Sequence, residues 1–134
     1  MEPAASEPAA PGKKKVLWVE DDSFLIDVIA QRLTSQEWEL LYANDGAAAL
    51  RVAHEKKPDV IILDILLPGI DGIEVLRQLK ADESTKNIPV LMFSNLDDKE
   101  KIQEGKTLGA EGFFVKATST LESIIEEIQK VLAK

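Results

Sequence analysis

The chain contains no cysteine and only one histidine, His54. The first absence excludes disulfide scaffolds, thiolate metal centres and cysteine nucleophiles. The second excludes a multi-histidine zinc site. No apolar run approaches the roughly 18–20 residues of a membrane span, and the amino terminus lacks the apolar stretch of a signal peptide. The expectation is a cytoplasmic chain with no membrane partner. Basic residues are also in deficit, 16 against 24 acidic ones for a net charge of −8. That balance argues against attraction of the whole surface to phosphate backbones, so no nucleic-acid partner is expected. The one dense basic run, Lys13-Lys14-Lys15, sits at the end of a tail and reads as a solvated turn.

What is present is an ordinary globular balance, 45% hydrophobic and 30% charged over 134 residues, enough for one domain. From Met1 to about Gly12 the chain is Pro, Ala, Glu and Ser with no large apolar side chain after Met1. Such a segment has nothing to bury against the entropy of ordering it, so residues 1–14 are expected to form a disordered tail and residues 15–134 the domain.

Beyond the tail, short apolar runs alternate with longer amphipathic segments. The runs are Val16–Val19, Leu40–Ala43, Val60–Leu63, Val90–Phe93 and Phe113–Val115. Each is mostly apolar on both faces, as in a strand covered on both sides. Between them lie helix-length segments with capping signals: Ser23 before a helix to about Ser35, Asp45 before Gly46 to about Lys56, Asp71 before Gly72–Ala81, Asp97 or Asp98 before a helix ending near Gly109, and Thr118 or Ser119 before the last helix. Five such units predict an α/β fold, a doubly wound five-stranded parallel sheet with helices on both faces. Nothing follows the fifth helix, so a domain acting on its own is expected. The fourth helix has only Ile102 and Leu108 as large apolar residues and is interrupted by Gly105, which predicts marginal packing. The first has a surplus: Phe24, Leu25, Ile26, Val28, Ile29 and Leu33 spread over about 200°, twice the roughly 100° a core-facing stripe needs. A partner surface at the start of this helix is expected.

Ligands of open parallel sheets sit beyond the carboxyl ends of the strands, where strand order reverses. The first run ends in Glu20-Asp21-Asp22, the third in Asp64, the fourth in Ser94-Asn95 and the fifth in Lys116. In the order 2-1-3-4-5, Glu20, Asp21 and Asp64 would crowd one crevice with Ser94 and Lys116 on its other side. Clustered carboxylates repel one another, and a hard divalent cation relieves the conflict; oxygen donors favour Mg²⁺ or Mn²⁺. A hydroxyl and an ammonium opposite the metal complete a site for a phosphoryl group, and a carboxylate can be its nucleophile. Asp64, alone at the end of the central strand, is the candidate. Taken singly, each residue has a structural explanation as a helix cap, a loop hydroxyl or a surface lysine. Jointly those explanations require acid, acid, hydroxyl and amine to fall at strand ends by coincidence. His54 is expected on an exposed part of the second helix, without a role.

At these residues the chain resembles the response-regulator receiver family. The matching stretches are Val16 to Asp22, Pro58 to Asp64 with Pro68 and Asp71-Gly72, Pro89 to Ser94, and Gly109 to Lys116. The resemblance covers about Lys15 to Lys134. It implies a flavodoxin-like 2-1-3-4-5 sheet and a phosphorelay function, with a phosphohistidine donor on a sensor histidine kinase or histidine phosphotransfer protein. It also implies roles: Asp64 as phosphoacceptor; Asp21, Asp64 and the Leu66 carbonyl as the metal site with Glu20 as outer acid; Ser94 and Lys116 as the phosphoryl-sensing hydroxyl and the lysine of the site; Phe113 as the switch aromatic. A downstream protein target and a monomer or weak dimer are expected, and no enzyme beyond the chain's own phosphorylation and dephosphorylation.

The chain departs from the family pattern at Ala117, where proline follows the lysine, at Asn95, where a small residue follows the hydroxyl, and at Phe113, where tyrosine is frequent. A trans peptide between Lys116 and Ala117 is therefore expected, since cis before a non-proline residue costs about 3–4 kcal/mol. The resemblance also implies that the residues two positions after the acceptor and after the hydroxyl flank the path of attacking water. Here they are Leu66 and Leu96, both apolar, which predicts slow hydrolysis of an aspartyl phosphate. Two alternatives remain, a Mg²⁺-dependent aspartyl-phosphate phosphatase and an interaction module that takes no phosphate. The first lacks a second acid close to Asp64 in sequence and the length for a cap.

Overall fold

The computed structural model describes residues 13–33, 38–94, 99–116 and 118–133. The expected tail therefore lies almost wholly outside the described residues. Strands and helices alternate as β1 (Lys15–Val19), α1 (Ser23–Leu33), β2 (Glu39–Ala43), α2 (Gly46–Lys56), β3 (Val60–Asp64), α3 (Gly72–Ala81), β4 (Val90–Ser94), α4 (Lys99–Leu108), β5 (Gly112–Val115) and α5 (Leu121–Leu132). The strands form one parallel sheet in the order β2-β1-β3-β4-β5, the doubly wound arrangement expected. Among the described residues no helix is long and apolar enough to cross a membrane.

Successive strand residues point to opposite faces, and each face builds its own core. Leu17, Val19, Ile61, Leu63 and Met92 pack with Ala49, Val52 and Ala53 of α2 and Ile73, Leu76 and Leu79 of α3. Val16, Trp18, Val60, Ile62, Leu91 and Phe93 pack with Ile26, Ile29 and Leu33 of α1 and Ile124, Ile125 and Ile128 of α5. β3 and β4 are buried throughout, but β2 exposes Tyr42 and β5 is half-buried along its length. The expectation of strands covered on both faces fails at these two because each is a sheet edge.

Two helix starts differ from expectation. Asp22, not Ser23, caps α1: its Oδ1 accepts from the backbone N–H of Phe24 at 3.0 Å and of Leu25 at 3.2 Å, leaving Ser23 as the first helical residue. Thr120, not Thr118 or Ser119, caps α5, its Oγ1 accepting from Ser123 N at 3.0 Å. Thr118 and Ser119 are used in a turn, both N–H groups donating to the Val115 carbonyl. Asp45 and Asp71 cap α2 and α3 as expected, whereas Asp97 and Asp98 lie outside the described residues. His54 is exposed, and its Nδ1 lies 3.2 Å from Ser84 Oγ and 3.7 Å from Asp82, tethering α2 to the loop after α3.

α4 is held differently from the other helices. Its only buried residue is Gly105, where an added Cβ would stand 2.6 Å from Phe113 Cζ. The glycine that weakens the helix is what lets it close over the ring. Toward α3 the hold is ionic, through Arg77–Glu104 at 2.6 Å and Lys101–Asp71 at 3.3 Å.

Asp71 thus serves two elements at once. Burial pushes its carboxyl up, but the Glu74 N–H and the Lys101 ammonium outweigh burial and hold it below the ordinary value of 3.8. A carboxylate held lower in the fold stabilises it above the unfolded value, and that contribution is lost as pH falls through the folded one. Asp71→Asn keeps an acceptor for Glu74 N and loses the charge. Denaturant unfolding should show the wild type more stable than this variant at neutral pH, with the gap closing below 3.8. Asp71→Ala also loses the cap and should cost about 1 kcal/mol at neutral pH.

Candidate functional site

The chain leaves β1 toward β2 on one side and leaves β3 toward β4 on the other, so a crevice opens where these neighbouring strands end. The register aligns Val19 with Leu63, Asp64 with Phe93, and Phe93 with Phe114. Alternation from Trp18 to Glu20, from Ile62 to Asp64 and from Phe114 to Lys116 then carries both acids and the lysine to the α1–α5 face of the sheet. Ser94 falls one residue out of phase with Phe93, on the α3–α4 face, where Phe113 also packs.

The contacts follow this placement. Lys116 Nζ donates to Asp64 Oδ2 at 2.7 Å and lies 3.0 Å from Glu20 Oε1. The other Asp64 oxygen, Oδ1, accepts from Leu66 N at 3.0 Å. Glu20 Oε2 accepts from Asp22 N at 3.2 Å. Glu20 and Asp64 are buried, Asp21 is exposed, and the three place one carboxylate oxygen each within 4.8 Å of one another. Burial pushes the Glu20 carboxyl above its ordinary value, and the neighbouring Asp64 adds to the rise, while Lys116 opposes it. Burial disfavours the Lys116 ammonium, but its hydrogen bond to Asp64 and the nearby Glu20 charge more than compensate and hold it above the ordinary lysine value. One ammonium faces three carboxylates, so the crevice carries an excess of negative charge when all are ionised.

A hard cation fits this donor set. Glu20 Oε1 is buried without an aligned hydrogen bond, its approach to Lys116 being a charge contact only. The set is made wholly of oxygen, with one member exposed to admit an ion.

The structure brings Glu20, Asp21, Asp64 and Lys116 together as expected. Ser94 is buried at the end of β4, and its carbonyl accepts from Lys116 N at 2.8 Å. Leu66 meets Asp64 through its N–H, and its side chain is 49% exposed. The surplus on α1 resolves into two groups. Phe24 is 76% exposed and Val28 39%, Leu25 is half-buried, and Ile26, Ile29 and Leu33 belong to the core. The expectations for Asn95, Leu96 and the Lys116–Ala117 peptide lie outside the described residues.

Two supports of the site escaped the sequence reading. At Gly72, a Cβ would lie 2.1 Å from the Asp64 carbonyl oxygen, so only glycine lets α3 start against the end of β3. Phe93 holds its ring 5.1 Å from the Lys116 ammonium. A glycine directly after a cap and an aromatic directly before Ser94 were the available signals.

The sequence model of the response regulator receiver domain matches residues 16–129. The chain is a receiver domain of that family. The alkaline phosphatase synthesis transcriptional regulatory protein PhoP of Bacillus subtilis is 35% identical to the receiver over 109 residues, 81% of this chain and 45% of PhoP. The chemotaxis response regulator CheY4 of Vibrio cholerae superposes with a TM-score of 0.80 at 33% identity, over 89% of this chain and 98% of that one. The receiver domain of the sensor histidine kinase PA1611 from Pseudomonas aeruginosa, solved with a magnesium ion in its active-site cleft, shares the fold at 22% identity, with a TM-score of 0.82 over 92% of this chain and 100% of that one. The receiver spans 22% to 52% of the length of the curated relatives it matches. Membership places it in two-component signalling. The expectation of no nucleic-acid partner finds no support here, because PhoP is by name a transcriptional regulator.

Two substitutions probe the site without phosphoryl chemistry. Gly72→Ala drives a methyl group into backbone, which has no soft end to give way, and should cost about 3 kcal/mol or more in thermal or denaturant unfolding. Glu20→Gln removes a buried charge repelled by Asp64. Because burial and the neighbouring Asp64 disfavour the charged form, in metal-free buffer the variant should be the more stable and should melt at a higher temperature.

Proposed function

We propose that Asp64 accepts a phosphoryl group from phosphohistidine on a sensor histidine kinase or phosphotransfer protein. Asp21, Asp64 and the Leu66 carbonyl, with Glu20 as outer acid, would hold Mg²⁺, or Mn²⁺, for the reaction. One observation carries the reading: the buried Asp64 carboxylate has one oxygen fixed by the Leu66 N–H and the other by Lys116. Both atoms that could attack phosphorus are oriented before a donor arrives, which is most of what phosphoryl transfer asks of a protein. An Asp64 oxygen forms a bond to phosphorus as the phosphorus–nitrogen bond of the donor breaks, and the leaving imidazole keeps the electron pair and takes a proton. The Lys116 ammonium remains beside the phosphorylated carboxyl to offset the charge on the phosphoryl oxygens. A cation held by these residues would supply further neutralisation of that charge. The magnesium in the PA1611 receiver supports this choice of metal.

Ser94 and Phe113 form the output side. The Ser94 hydroxyl senses the phosphoryl group, and Phe113, under Gly105, passes the change to α4, which little apolar burial anchors. A downstream protein reads that change. Phe24 and Val28 on α1, with Leu66 beyond β3, offer the donor an apolar landing surface near the acids. The receiver catalyses only its own phosphorylation and dephosphorylation, and turnover of a generic phosphomonoester should be nil.

The test is intact mass after incubation with Mg²⁺ and a small acyl phosphate. One added phosphoryl group is expected, absent in Asp64→Asn and with EDTA; uptake unchanged in EDTA would refute the metal assignment. Lifetime is a separate measurement. Leu66 has no group to orient water or take its proton, so the phosphoprotein should decay slowly, and Leu66→Asn should shorten its half-life. General-base and positioning assistance reaches about 10²–10⁴-fold when fully developed, and a single amide should supply only part of it.

A further inference from the structure

We infer that Phe93 is a positioning residue for Lys116, and that Trp18 fixes Phe93 for that task. The inference rests on the reading of Asp64 and Lys116 above and adds what aims the lysine. The Lys116 ammonium stands 5.1 Å from the centroid of the Phe93 ring, within the roughly 6 Å over which an aromatic face attracts a cation. The same ring meets Trp18 nearly at right angles, 84° between planes and 5.8 Å between centroids, an edge-to-face arrangement that favours a defined orientation. Trp18 and Phe93 are both buried, and the indole Nε1 is buried without a hydrogen-bond partner. Shape and ring contact, rather than a polar anchor, therefore hold the indole.

The register explains why these three meet. Phe93 is level with Asp64 on β3 and with Phe114 on β5, so Lys116 reaches toward Asp64 diagonally past the Phe93 ring. A lysine side chain has four rotatable bonds and a strongly hydrated head. Its hydrogen bond to Asp64 and charge contact with Glu20 specify distance, and the aromatic wall removes conformers that swing toward the α1–α5 layer. The residue after Lys116 is alanine, which lacks the fixed φ that proline would give the backbone there. Side-chain contact thus bears more of the positioning.

Lysine ε-methylene protons beside a ring face are shifted upfield, a signature that simple space-filling by an aliphatic residue cannot produce. In the folded wild type, NMR should show that shift for Lys116. Phe93→Leu should abolish it and slow phosphoryl uptake from a small acyl phosphate in Mg²⁺ by about 3- to 10-fold, the rate equivalent of one partly desolvated cation–π contact. Phe93→Tyr keeps the ring face and should retain both. Absence of the upfield shift in the folded wild type would overturn the inference without any variant. A Phe93→Leu protein that loses the shift yet takes up phosphoryl at the wild-type rate would also overturn it. Failure of the underlying reading is recognised separately, because the wild type would then gain no phosphoryl group even where its Lys116 shift is present, and the positioning role would fall with it.

Discussion

The receiver is organised around one unfavourable arrangement, two buried carboxylates at the ends of adjacent strands with a third close by, answered by a single lysine. Glu20 and Asp64 cannot separate, because the pairing of β1 with β3 locks Val19 beside Leu63 one residue before them. They cannot reach full hydration either, because the strands that carry them are central and buried. Lys116 is the answer the fold itself contains, and its backbone N–H is pinned to the Ser94 carbonyl. The crevice is short of positive charge, and an incoming cation meets a demand that the fold has created.

Charge also distinguishes the helices. α1, α2, α3 and α5 are secured by apolar side chains on one face or the other of the sheet. α4 buries one glycine, packs only the half-buried Leu108 against the core, and leans on ion pairs to α3. Exposed ion pairs contribute little to stability and weaken with salt. The least anchored helix therefore lies over the half-buried aromatic Phe113, on the side of the sheet away from the lysine.

Much of this was legible in the residues. The five apolar runs matched each strand to within a residue, because even the edge strands β2 and β5 keep a run of apolar residues without polar alternation. Strand ends in turn located Glu20, Asp21, Asp64, Ser94 and Lys116. Less legible were choices between adjacent polar residues, as at Asp22–Ser23 and across Thr118, Ser119 and Thr120, where the cap depends on which side chain the loop geometry aims at free N–H groups. Gly105 was read as a weak point because helix propensity is local, whereas its value lies in contact with Phe113, a residue on another element. Phe93 belongs to the same class. Its ring became part of the site only when register set it diagonally across from Lys116.

The strand order also governs how the chain comes together during synthesis. β1 is the second strand of the sheet and pairs with both β2 and β3. Its apolar residues emerge first, yet one of its two edges stays open until the residues through Asp64 have been made. A nascent chain that ends after α2 holds a strand meant for the interior with one flank unpaired. Unpaired strand edges and exposed apolar surface are what make partly folded chains aggregate. The arrangement that sets Glu20 beside Asp64 thus delays closure of the sheet's centre until β3 has been translated.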